Sequence, residues 1–502
     1  MAWRSSRLLD AAFVGCLVVD VVFQLAIGRF AQMDEAFFKA AGREWAVTGQ
    51  FRAPEIAGFL RVDPPPEEVW FAQPPVYTFL YGLVVLVLGF GPSSCILYDA
   101  LIHAALAFMT YRLARQPATG LPPPAAFLAG LAVLPLGTLA RPDELAMCFG
   151  MAGLLFLNRD TIRLRDAVRS GGCFGLVAGT SSGAAVLLGM TALVLLTEGQ
   201  DSRALKARRV LSWGLAAAVL LAAVLAPIFY SHPGAFRQYL EHSRHHVGTD
   251  DYLQSYEKEW RMGKSYLLLT AGLLAAAAIT LWARPEEMSG QRWRRWWLGP
   301  VCGVAYLALL MPKYLYTWFL GPWMLVGTLL CVRALGHRPW LVRIAVLAAG
   351  FGYAAAAAPA VKNTMILLQL PVEQRFGPNA ATVQRLVPPG SAVLTEDWWW
   401  TLGNSRRVYD PYFVSLGDEE LARVEFVIRT PNGTGVPGVL KLMTPKLTEY
   451  VDRHFVPIHD NLGREDAVVL GWRLPDSAGG CGMIVLRRPE EGPAPREEGE
   501  ED

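Results

Sequence analysis

Charge is scarce in this sequence. Only 18% of its 502 residues are Asp, Glu, Lys or Arg, and 46 basic residues against 44 acidic ones leave a net charge of +2. As a total that balance is uninformative, because the useful signal is where along the chain the Lys and Arg fall. Cysteine is sparse as well. Cys16, Cys95, Cys148, Cys173, Cys302 and Cys331 lie in or beside apolar stretches, so Cys481 stands alone in the polar C-terminal region and no structural disulfide is expected there. No repeat with a period of about 20 to 50 residues is present, nor the inverted symmetry of many transporters. No small-residue cleavage site closes the first apolar stretch, which is therefore read as a retained anchor and not as a signal peptide. Apolar residues are what the chain has in abundance. At 53% hydrophobic with a mean hydropathy of +0.29, it is too apolar for a soluble protein of this length and belongs in a membrane.

Apolar stretches fall at residues 9–29, 94–111, 124–140, 144–158, 171–197, 210–230, 264–283, 297–311, 315–332 and 340–358. The connections RDTIRLRDAVR, DSRALKARR, RPEEMSGQRWRRWW and VRALGHRPWLVR are short and rich in Arg, which places them on the cytoplasmic side. The connections carrying Asp34, Asp143, His242 and Lys313 then face outward. Two segments decide the count. Residues 76–90, VYTFLYGLVVLVLGF, look like a span, but counting them as one would turn RPDEL (141–145) inward; they are assigned to an outer juxtamembrane helix or shallow re-entrant segment. Residues 171–197 have basic segments on both flanks and must cross an even number of times, so two short helices meeting at GTSSG are expected. The expected fold is an α-helical polytopic membrane protein of about eleven spans, with an inner N-terminus and an outer C-terminus.

Beyond residue 359 the pattern changes to strand-like runs, SAVLTEDWW, EFVIRT, DAVVLGWRL and CGMIVLRR, separated by Pro and Gly turns. The chain thus divides into a membrane domain, 1–359, whose first outer loop is 30–93, and a small C-terminal α/β outer domain, 360–488. An acidic tail, 489–502, is expected to be disordered. Ala, Arg and Gly usage and short loops point to a bacterial inner membrane.

Five clusters can carry chemistry. Asp34 and Glu35 follow the first apolar stretch in MDEAFFKAAGREWAVTGQF, with WFAQPPVYTFLYGLVVLVLG further on. Arg141, Asp143 and Glu144 open another outer helix. Glu241, His242 and Arg244 lie in PIFYSHPGAFRQYLEHSRHHVGTDDY, Lys313 and Tyr314 begin MPKYLYTWFLGPW, and three tryptophans run together in EDWWWTLGNSRRVYDPYF. Each has a plainer reading. Acids suit a helix N-terminus, a Lys with Tyr and Trp anchors any span, and a tryptophan run can stack on a sugar or rest at the lipid interface.

Taken in order, these motifs resemble the C-type glycosyltransferases, the membrane enzymes that take sugars from polyprenyl-phosphate donors, and in particular the protein O-mannosyltransferase and lipid A aminoarabinose transferase group. The resemblance covers residues 9 to about 335. It implies an inverting glycosyltransferase with Asp34 as the base, and with Glu35 and Asp143 orienting acceptor or donor. Lys313, Tyr314, Arg141 and Arg244 would meet the donor phosphate. In the aminoarabinose transferases the histidine at the position of His242, following Glu241, is associated with a metal, so a divalent metal is a possible cofactor here. Two departures from that pattern stand out: the glutamate that partners it is replaced by Ala72, and the lysine that relatives carry near GTSSG is absent. The implied partners are a polyprenyl-phosphate-linked sugar, the membrane lipid, and a lipid, glycan or protein acceptor, with no nucleic acid. Two other classes compete. A transporter of lipid-linked sugars would use charged residues within the spans, for which Asp20 and Asp99 are the candidates; a scaffold would act through its outer domain.

Overall fold

The computed structural model describes most of residues 2–247 and most of 376–489, with isolated positions between. The apolar stretches at 264–283, 297–311, 315–332 and nearly all of 340–358 lie outside the described residues, as do Lys313, Tyr314 and the acidic tail from residue 490. Ten helices make up the first part: α1 (Ala2–Ile27), α2 (Met33–Thr48), α3 (Val76–Leu88), α4 (Pro92–Ala114), α5 (Pro123–Leu131), α6 (Pro142–Leu157), α7 (Leu164–Ala178), α8 (Ser182–Thr197), α9 (Arg203–Ser231) and α10 (Ala235–Val247). Leu8–Ile27 of α1, α4 and α9 are each long and apolar enough to cross a membrane. The chain is an integral membrane protein.

The helix starts follow from local side chains. Asp166 accepts the Arg163 N–H at 3.1 Å at the head of α7, Glu144 accepts the Arg141 N–H at 3.2 Å at the head of α6, and the Ser202 hydroxyl accepts from Leu205 N–H at 3.3 Å at the head of α9. The stretch 171–197 breaks where its sequence contains GTSSG: α7 stops at Ala178 and α8 begins at Ser182. Ser181 caps the new helix by accepting from Ala184 N–H at 3.3 Å.

Small residues let the helices approach closely. A Cβ at Gly171 would lie 2.2 Å from the Trp213 carbonyl oxygen, and one at Gly175 would lie 2.6 Å from that of Ala217, so α7 and α9 run parallel with their backbones nearly touching. The pair α2 and α3 is seated the same way, because a Cβ at Gly42 would meet the Thr78 carbonyl oxygen at 2.2 Å. Gly42→Ala must push these helices apart, at a cost of about 1–3 kcal/mol, whereas Gly189→Ala in α8, where a Cβ meets nothing within 4 Å, is expected to be neutral or slightly stabilising. Thermal unfolding of the two variants in one detergent checks the contrast; equal midpoints would refute the close seating.

At the opposite end of the bundle α1 is pinned to α4. Phe13 stacks on Tyr111 with centroids 4.3 Å apart, the Tyr111 hydroxyl donates to Asp10 at 2.6 Å, and Arg115 pairs with the same carboxylate.

From residue 376 the described chain forms α11 (Phe376–Leu386), α12 (Asp418–Arg423) and α13 (Pro445–His454) around seven strands: β1 (Ala392–Leu394), β2 (Arg407–Tyr409), β3 (Phe426–Arg429), β4 (Val456–Asp460), β5 (Val468–Val469), β6 (Trp472–Arg473) and β7 (Ile484–Arg487). The main sheet has the order β2-β1-β3-β7-β4, parallel across its first three strands and antiparallel across the rest, and β5 pairs with β6 separately. Alternation sorts its side chains. Val393, Val408, Phe426, Ile428 and Val485 share a buried cluster with Phe376 and Val383 of α11, while Leu394, Tyr409, Val427 and Leu486 share another with Val451 of α13. The first cluster continues into Phe37, Phe38, Tyr77 and Tyr98 of the membrane part. Each strand-like run read from the sequence contains a strand; β2 and β4 were not among them. Trp398, the first residue of the tryptophan run, neither faces a ligand nor rests on lipid: it is fully buried and stacks on Phe376 at 5.4 Å.

Candidate active site at a meeting of helix ends

The first turn of α2 carries Asp34 and Glu35. Glu35 is fully buried and pairs with Lys39, one turn on, at 3.2 Å; Lys39, itself fully buried, reaches Asp99 of α4 at 2.8 Å. The Tyr77 hydroxyl of α3 lies 3.5 Å from the other Asp99 oxygen, and Tyr98 donates to the Tyr77 carbonyl at 2.6 Å. Burial first, and the Asp99 carboxylate second, hold the Tyr77 phenol well above its usual range, so it remains a proton donor. These contacts fix the backbone at Glu35, and hence the placement of Asp34 beside it. The Asp34 side chain lies outside the described residues.

The head of α6 arrives at the same place. The Arg141 guanidinium lies 5.0 Å above the Phe38 ring of α2, with its Nε 3.8 Å from an Asp143 oxygen. The other Asp143 oxygen accepts from the Ser181 hydroxyl at 2.5 Å, in the turn between α7 and α8. That turn also receives α3, since Val76 N–H donates to the Gly179 carbonyl at 2.9 Å. The Glu144 carboxylate that caps Arg141 N–H also lies 3.2 Å from Nε2 of His103 of α4. Asp34 and Glu35 on α2, Asp143 on α6 and Arg141 just before it are therefore brought to one end of the bundle.

Glu241, His242 and Arg244 lie on α10. Glu241 accepts from Arg237 Nε at 2.9 Å, and the side chains of His242 and Arg244 are outside the described residues. Among the described residues no three His, Cys, Asp or Glu side chains come together as a metal site, and one oxygen of Glu241 is engaged by a guanidinium. The side chain of His242, which with Glu241 would hold a divalent ion, lies outside the described residues.

Gln238, on the same helix, escaped the sequence reading. It is fully buried, donates to the Pro64 carbonyl at 2.7 Å and the Val69 carbonyl at 2.8 Å, and accepts from Phe71 N–H at 2.5 Å. The segment it grips is tied to α2 as well, because Trp70 Nε1 donates to the Phe37 carbonyl at 3.0 Å. An amide suits that place because it both donates and accepts, but a lone Gln in a polar helix gives no signal of it. Gln238→Leu strands two carbonyls and one N–H, costing about 1–3 kcal/mol, and residues 64–71 should lose hydrogen-exchange protection before α2 does. Unchanged protection there would refute the clasp.

No family model and no curated protein matches the sequence. Solved structures do. ArnT from Cupriavidus metallidurans bound to undecaprenyl phosphate superposes with a TM-score of 0.54 over 96% of this chain and 99% of its own, at 14% identity. The chain has the fold of ArnT. The apo state of ArnT gives the same TM-score, over 95% of this chain and 97% of that one, again at 14% identity. The Archaeoglobus fulgidus oligosaccharyltransferase in complex with Zn and sulfate has a TM-score of 0.43 over 90% of this chain and 72% of its own, at 11% identity, a likeness too slight to bear on the fold. The resemblance read from the order of motifs over residues 9 to about 335 thus agrees with a fold that is shared over 96% of this chain.

Proposed function

We propose that this protein is an inverting glycosyltransferase that moves a sugar from a polyprenyl-phosphate donor to a lipid, glycan or protein acceptor on the outer face of a bacterial inner membrane. The observation that carries the proposal is the convergence of the Asp34 turn of α2 with Asp143 of α6 and Arg141 just before it, at one end of a chain with the ArnT fold. ArnT is described as bound to undecaprenyl phosphate, a donor's leaving group. The Arg-rich connections around residues 159–169 and 201–209 lie at the other end of α7 and α9, which puts the acidic end outside under the positive-inside rule. About eleven spans, with residues 360–488 as an outer domain, complete the topology.

In the proposed reaction the acceptor hydroxyl attacks the anomeric carbon from the face opposite the phosphate. Its oxygen forms the new glycosidic bond, its proton passes to the Asp34 carboxylate, and the bond from carbon to phosphate oxygen breaks with its electron pair leaving on the phosphate. Arg141, Arg244, Lys313 and Tyr314 meet the growing phosphate charge. Asp143, held by Ser181 and Arg141, orients the acceptor, and Glu35, locked to Lys39, holds the turn that carries Asp34. The two candidates of the transporter reading both have partners: Asp99 is paired with Lys39, and Asp20 accepts from Gln24 at 2.7 Å.

The test is incubation of the purified protein in lipid with a panel of radiolabelled polyprenyl-phosphate sugars. Release of free polyprenyl phosphate together with a labelled acceptor is expected. Movement of the intact lipids between leaflets with no turnover would establish a transporter instead.

A further inference from the structure

The end of the bundle opposite Asp143 has no part in this chemistry, yet it gathers most of the cations of the described membrane part. Because α7 and α9 run parallel with their backbones in contact at Gly171 and Gly175, their heads lie side by side. Among the described residues at these two heads, Asp166 is taken by Arg159 at 3.3 Å and Asp201 by Arg209 at 2.7 Å. Arg163, Arg165, Arg203 and Arg208 remain exposed and have no carboxylate partner among the described residues. Arg169 adds a fifth charge, lying 6.0 Å from the Phe156 ring.

The same patch has an apolar flank. Leu164 and Val168 on α7 and Leu205 and Leu211 on α9 are among the exposed large hydrophobics. No charge follows on α9 from Val210 to Ser231, a run of about 33 Å at helical rise, enough to cross the hydrocarbon core. Arg208 and Arg209 therefore stand at the boundary between acyl chains and headgroups.

We propose that the joined heads of α7 and α9 form a binding platform for anionic phospholipid in the leaflet opposite the Asp143 end. The guanidinium groups meet the headgroup phosphate and the exposed leucines meet the acyl chains. Arginine suits the task because its fork of donors matches phosphate oxygens, and a headgroup at the bilayer surface is the anion that meets an apolar flank. This site is independent of the transferase reading, since it lies at the other end of the helices and is read out by lipid binding alone.

The experiment is to purify the full chain from mixed micelles containing equal amounts of phosphatidylglycerol and phosphatidylcholine with identical acyl chains, and to count retained lipid by native mass spectrometry. The native protein should retain phosphatidylglycerol preferentially at low salt and lose the preference as salt is raised. Arg163→Gln/Arg165→Gln/Arg203→Gln/Arg208→Gln should abolish the preference, each lost arginine lowering it by up to about fivefold. The four matching Arg→Lys changes, which keep the charge and so the topology, should retain most of it. Arg423→Gln/Arg453→Gln, in the sheet-bearing part, should leave it intact. No preference in the native protein overturns the proposal without recourse to any variant, and so does a preference that the neutralised variant keeps.

Discussion

Asp34→Asn is expected to lower sugar transfer by about 10²–10⁴-fold, the contribution typical of a positioned general base. The amide has nearly the size of the carboxylate and can sit in the first turn of α2, but it cannot take the acceptor proton. Binding of the donor should change little, because the proposed mechanism assigns the phosphate to cations on other elements. Turnover of donor is to be measured beside equilibrium binding of polyprenyl phosphate to the same preparation. A fall in both together would point to a damaged fold, and activity within about tenfold of native lies below what a general base contributes and would remove Asp34 from the role. A loss of turnover with intact lipid binding is the outcome that the proposed mechanism requires.

Lys39→Met should be the most damaging single change to stability. It leaves the Glu35 and Asp99 carboxylates buried without the cation between them, and breaking a buried ion pair in this way costs about 3–5 kcal/mol. The charge, not the packing, is the reason. Glu35→Gln/Lys39→Met/Asp99→Asn, which removes all three charges and keeps the shapes, is expected to recover most of the loss. Thermal unfolding in nanodiscs, with the native chain and both variants side by side, separates the explanations: a triple variant as unstable as the single one would mean that Lys39 acts through its bulk.

The difference between what could and could not be read from the sequence runs along sequence separation. The break between α7 and α8 was legible because basic segments flank 171–197 on both sides and GTSSG supplies the turn, all within one short stretch. The strands β1, β3 and β7 were legible as short β-branched runs between turns. β4 was not, because its residues Val456 and Ile458 are exposed and Pro457 stands between them, so no buried alternation marks it. Asp99 looked like a charge stranded in a span and a candidate for a transport path. Its partner Lys39 is 60 residues away, and only the fold brings α2 against α4. Gln238 and the segment 64–71 are farther apart still. For the candidate site, the sequence indicated that Arg141 and Asp143 begin an outer helix, and the structure supplies Ser181 and Phe38 as the groups that hold them.

The two helices that meet at Ser181 have 15 and 16 residues, which gives them lengths of about 22–24 Å against a hydrocarbon core of about 30 Å. Such a hairpin cannot reach from one headgroup layer to the other. Either the bilayer thins around it or the turn lies sunken beneath the surface, with water following it down. The Asp143 end of the bundle would then form the floor of a dip in the membrane and not a platform above it. A lipid carrier standing in the surrounding leaflet could slide its phosphate sideways into that dip without lifting its long tail out of the oil, and thinner membranes would suit the protein best.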